Sequence, residues 1–206
     1  VDVGLLKVVE VSDEGCEGDT VRLNVEIDRL NIDLRFVSVG TPDNRMSIDW
    51  QLLNNSTADE LRIEKRDAGS TGSWTPIATV PGTQTNYTEL NVNTDEKAFQ
   101  YRIAGENKCD VTIRSEEHTS ILLTGFQDES FNSQLTFTDY FGWVNGVSFY
   151  DLLLEDNISS YRVELANANS NTNLLLVHDP KQYRKCFRVQ ASENGGEETS
   201  SLSNEV

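Results

Sequence analysis

The chain has 206 residues, 37 % of them hydrophobic and 25 % charged, with a formal net charge of −17 and a pI near 4.4. That length holds one large domain or two small ones, and the acidity argues against binding nucleic acid phosphates or an anionic membrane surface. No run of about 18 apolar residues is present to span a bilayer, and the opening Val1-Asp2-Val3-Gly4 is neither a signal peptide nor an initiator start, so an internal fragment or processed product is expected.

Helical periodicity is nearly absent along the chain. Short alternating segments recur between Gly, Asn, Asp, Ser and Pro, which predicts an all-β protein. Residues 1–30 hold "LLKVVEV" and "TVRLNVEI" around the turn "SDEGCEGD", a single hairpin. A lone hairpin is marginal in water, so it reads as the end of a domain that begins upstream. Residues 31–120 hold seven candidate strands, "LRFVSV", "RMSIDWQL", "ELRIEKR", "WTPIATV", "NYTEL", "FQYRIAGE" and "HTSILL". Alternation sends Met46, Ile48, Trp50 and Leu52 to one face, and Phe99, Tyr101 and Ile103 inward. Seven strands in about ninety residues fit an immunoglobulin-like β-sandwich.

Residues 121–206 repeat the plan with "ILLTGFQ", "SQLTFTD", "GVSFYDLLLE", "SSYRVELA", "NLLLVH", "KCFRVQASE" and "TSSLSNEV". The echo of "YRIAGEN" in "FRVQASEN" marks a second sandwich in tandem. With almost no linker between the blocks, the pair is expected to form a stiff rod.

Chemistry-bearing constellations are sparse. The two histidines, His118 and His178, fall in different blocks and read as exposed strand-end or loop residues, so no nucleophilic triad and no catalytic residues are expected. Cys16, Cys109 and Cys186 lie far apart with no CxxC pair, which argues against zinc. The acidic turn with Asp13, Glu14, Glu17 and Asp19 fits no EF-hand spacing and reads as solvated, not as a calcium site. No metal or cofactor is expected.

The aromatic stretch "FTDYFGWVNGVSFYD", residues 137–151, admits two readings. By alternation Phe137 and Phe149 are core and Tyr150 faces outward. Tyr140, Phe141 and Trp143 fall in the connection between two strands, where binding residues concentrate. They are the candidates for ligand contact, against a framework reading in which Trp143 caps the core.

"IDW" on the second strand of the first block, with "YRIA" and "FRVQA" on the sixth strands, resembles fibronectin type III domains. Phe137 stands where the Trp would be in the second block, and Phe99 and Lys185 where the sixth-strand Tyr is usual, which argues against a tyrosine-corner hydrogen bond. The motif order is more specific. "EVSDEGCEGDTVRLNVEI", "WTPIATVPGTQTNYTE", "SEEHTSILLTG", "YFGWVNGVSFYDL" and "CFRVQASENG…SLSNEV" together resemble Bacteroidota surface proteins with gliding-motility-associated C-terminal modules, exported by the type 9 secretion system. The resemblance implies a PKD-like domain ending at the hairpin, two fibronectin type III-like domains, and a sorting domain that would follow Val206. It implies disulfide partners of Cys16 and Cys186 outside the chain, and Asp19-Thr20-Val21 resembles the O-glycosylation sequence of such proteins.

The function expected is therefore a non-catalytic, extracellular spacer of a cell-surface protein, such as a gliding adhesin. Its partners would be the secretion machinery during export and a surface glycan or protein, without nucleic acid and without membrane insertion. The alternatives are a carbohydrate- or protein-binding module and an accessory region of an exported hydrolase.

Overall fold

Among the described residues, alternation of apolar and polar residues gives strands alone, seventeen of them. The computed structural model describes residues 2–11, 17–27, 30–129, 132–156, 160–165, 174–176, 185–195 and 199–206; of 2–11, 17–27, 155–156, 160–165, 174–176 and 185 it describes the backbone only. Strands β1 (Asp2–Val11) and β2 (Glu17–Ile27) pair antiparallel as a two-stranded sheet.

The first sandwich comprises β3 (Ile32–Val39), β4 (Arg45–Leu52), β5 (Glu60–Asp67), β6 (Thr75–Pro81), β7 (Asn86–Leu90), β8 (Phe99–Glu106), β9 (Thr112–Arg114) and β10 (His118–Thr119). One sheet has the order β3-β4-β7 and the other β10-β8-β5-β6, with β9 also on β8. The second sandwich comprises β11 (Leu123–Gln127), β12 (Ser133–Phe137), β13 (Val147–Asp156), β14 (Ser160–Leu165), β15 (Leu174–Leu176), β16 (Lys185–Glu193) and β17 (Ser200–Leu202). Its sheets run β11-β12-β15 and β14-β13-β16-β17. In both, the first, second and fifth strands form one sheet and the fourth, third, sixth and last form the other. The chain is a tandem of immunoglobulin-like, fibronectin type III-like β-sandwiches.

Side-chain alternation sets each core. On β4, Met46, Ile48 and Trp50 are buried while Ser47 and Asp49 are half-exposed. On β8, Phe99, Tyr101 and Ile103 face them from the opposite sheet. Full burial of side chains of this size contributes about 1.5–3 kcal/mol each, so these few residues anchor the sandwich. The Tyr101 hydroxyl donates to Glu89 Oε2 at 2.8 Å, a side-chain partner rather than main chain, and burial beside that carboxylate raises its pKa.

The second core is built from Leu135, Phe137, Leu152, Leu154, Phe187, Val189 and Ala191. Here the alternation expected for β13 is corrected. Phe149 points outward at 39 % exposure and Tyr150 inward at 5 %. The register of β13 against β16 shifts between Val147 and Phe149. A bulge places two successive residues on one side, so Ser148 and Phe149 both face solvent and everything beyond is inverted. Tyr150 then packs against Phe137, ring centroids 5.0 Å apart.

Candidate functional site: the joint between the sandwiches

Four segments meet where the sandwiches touch: β3, β10, the connection from β12 to β13, and β17 with the residues after it. The connection carries Tyr140, Phe141 and Trp143, and two glycines let it turn. Gly142 has φ +134°, and a Cβ there would lie 2.2 Å from a ring carbon of His118. Only glycine allows that approach. Gly146, at φ +70°, closes the turn by donating its N–H to the Trp143 carbonyl at 2.9 Å.

Tyr140 and Trp143 are buried, 3 % and 7 % exposed, with ring centroids 4.0 Å apart. Their polar atoms engage the other sandwich. Trp143 Nε1–H donates to the Arg35 carbonyl at 2.7 Å. Arg35 is the extra residue of a bulge, since the β3–β4 register shifts between Leu34 and Phe36. A bulged residue leaves the ladder, which turns its carbonyl toward the indole. The Tyr140 hydroxyl accepts the Val37 N–H at 3.1 Å and lies 2.7 Å from His118 Nδ1. Its own N–H donates to the Tyr150 hydroxyl at 3.0 Å. Phe141 is different: its carbonyl accepts the Thr119 N–H at 2.8 Å, while its ring is 62 % exposed beside Val144 at 91 %.

His118 is not the exposed strand-end residue the sequence suggests. It is 2 % exposed on β10, edge-on to the Tyr140 ring at 5.7 Å. Burial lowers its pKa to about 4, partly opposed by the Asp33 carboxylate. Burial also holds the Tyr140 hydroxyl well above the usual tyrosine range. His178, Cys16, Asp13 and Glu14 lie outside the described residues.

A second line of contact joins β17 to β3. Ser201 Oγ donates to the Val37 carbonyl at 2.7 Å, and the Leu202 N–H donates to Ser38 Oγ at 2.9 Å. Further on, Asp43 accepts from Arg188 and from the Glu205 N–H, and Arg188 also reaches the Ser203 carbonyl at 3.3 Å. The sandwiches therefore meet along strand flanks and not only end to end, which departs from the rod that the short linker suggests. Beside the joint lies a cleft of about 230 Å³ lined by Asp33, Arg35, Gln51, Glu116, His118 and Trp143 among others.

Sequence reasoning singled out Tyr140 and Trp143 but gave no sign of Arg35, Val37, His118, Asp43 or Ser201. Those positions gain their roles from a bulge, a strand end and a flank contact, none of which leaves a local pattern. Trp74, at the head of the candidate strand "WTPIATV", likewise carries no local sign of its role. It stacks between two guanidiniums, Arg66 at 4.4 Å and Arg102 at 4.2 Å, which pair with Glu117 and Glu64 on the outer face of the first sandwich. Among the described residues, no group of three or more His, Cys, Asp or Glu is placed to hold a metal ion.

No family model and no curated protein matches the chain. Among solved structures it is similar to the FN1–FN3 domains of chicken CNTN1, at 13 % identity over 97 % of this chain and 76 % of that one, with a TM-score of 0.32. It is also similar to a segment of two fibronectin type III domains from chicken tenascin, at 11 % identity over 85 % of this chain and 98 % of that one, with a TM-score of 0.30. The fold assignment rests on the strand order, which is the same in both sandwiches.

Proposed function

We propose that this chain is a non-catalytic structural spacer in a protein displayed outside the cell. The observation that carries the reading is the joint. The two most conspicuous aromatics of the connection, Tyr140 and Trp143, are buried with their polar atoms bonded to β3 of the neighbouring sandwich. A pair locked in this way transmits position from one end to the other. Extracellular display agrees with the sandwich architecture and the charge of −17, and among the described residues no helix is long and apolar enough to cross a membrane. Export by the type 9 secretion system and a place in a gliding adhesin rest on the order of motifs from "EVSDEGCEGD" to "SLSNEV".

The test is Trp143→Ala. It should loosen the two sandwiches against each other, seen as a broadened distance distribution between labels on each, while both retain strand circular dichroism. Unchanged inter-sandwich distances would overturn the spacer reading. A second reading, contact with a glycan or protein, is favoured by Phe141 and Val144, whose side chains face solvent at the edge of the joint. Glycan-array binding by the chain that Phe141→Ser abolishes, with the fold intact, would establish it.

A further inference from the structure

We propose that Val37, Tyr140 and His118 form an acid-sensitive latch, which holds the sandwiches together while the imidazole is neutral and releases them when it takes a proton. The inference rests on the spacer reading and adds a condition under which the spacer becomes compliant.

The hydrogen-bond directions carry it. The Val37 N–H can only donate, so the Tyr140 hydroxyl accepts from it. The phenolic hydrogen then points to His118 Nδ1, 2.7 Å away, which accepts it in the neutral imidazole with its proton on Nε2. The Val37 N–H and the phenolic hydrogen each have an acceptor in this row. Protonation at Nδ1 turns that acceptor into a donor. The hydroxyl oxygen then faces two donors, and its own hydrogen loses its acceptor inside a joint where Tyr140 is 3 % and His118 2 % exposed. A buried donor left unpaired is disfavoured, and the row relaxes only if Tyr140 withdraws from β3. Gly142 leaves no slack, because its backbone is already against the ring.

The charges around the imidazole are mixed. From β3 come Asp33 and Arg35, from the segment before β10 comes Glu116, and from the second sandwich comes Glu193. Asp33 is the group that favours the imidazolium, and it also accepts from Gln51 Nε2 at 2.8 Å. Burial outweighs it, so the proton arrives only near pH 4.

The experiment is energy transfer between dyes at Val111 and Phe126, both exposed and one on each sandwich, measured against pH on the whole chain. Imidazole nitrogen shifts and strand circular dichroism are followed alongside. Transfer should stay constant down to about pH 5 and fall on further acidification together with the imidazole titration, before the strands are lost. His118→Gln, which remains neutral, should open at least one pH unit lower. Tyr140→Phe, which keeps the ring and deletes the hydroxyl, should be looser at neutral pH with a blunted acid response. Opening of His118→Gln at the wild-type pH, or wild-type opening that does not track the imidazole, would assign the change to carboxylates and overturn the latch. If His118→Gln fails to fold, the wild-type coincidence and Tyr140→Phe decide. Discovery of a glycan or protein ligand would overturn the spacer reading and leave this result standing.

Discussion

Gly142 and Gly146 stand four residues apart with positive φ, yet they answer to different constraints. At Gly146 a Cβ meets nothing within 4 Å, so alanine there carries only backbone strain, about 1–2 kcal/mol. At Gly142 it meets the His118 ring as well. Gly142→Ala should therefore cost at least about 2 kcal/mol, and denaturant midpoints of the two variants compare them directly. Trp50 is the complementary case. It is 1 % exposed with its indole N–H unpartnered, so its value lies in filled volume and not in a hydrogen bond. Trp50→Ala should lower unfolding stability by about 3–5 kcal/mol.

At the level of strands, the bulge in β13 decides which aromatic matters. Tyr150→Ala should cost about 3–5 kcal/mol, and Phe149→Ser under about 1 kcal/mol, the reverse of what unbroken alternation implies. Thermal melts of the pair test it. Strand existence and the inward faces of β4 and β8 were legible because period-two patterning is a local property of the chain. The face of Phe149 was not, because a bulge depends on how β13 pairs with β16. The same limit hid the joint: nothing near Arg35 announces that its carbonyl will leave the ladder. Asn204, fully buried, shows a further device of this kind. Its amide donates to the Leu123 carbonyl at 2.9 Å and accepts the Leu123 N–H at 2.7 Å, so one side chain substitutes for a neighbouring strand on the edge of β11. Replacing it by Leu leaves both groups orphaned and should destabilise by about 2–4 kcal/mol, measured by chemical denaturation of the whole chain.

For the whole molecule, acid is the expected weak point. The unfolded chain protonates His118 near pH 6.5 and the folded one near 4. The folded pKa is the lower, so the unfolded state binds the extra proton between these values. Stability from this group is complete above about pH 6.5 and declines by up to about 1.4 kcal/mol per pH unit on the way down to 4. In His118→Gln that component of the slope should vanish from a stability-versus-pH curve.

The flank contact between β3 and β17 also fixes the reach of the pair. Val37 and Ser38 meet Ser201 and Leu202, and Asp43 meets Glu205, so the two segments run in the same direction. Leu30, at the start of the first sandwich, and Asp43, which holds Glu205, are thirteen positions apart. At about 3.3–3.6 Å per extended residue those points are at most about 47 Å apart. Glu205 of the second sandwich is thus held within that distance of the start of the first. Opening the joint would lift that limit without unfolding a strand.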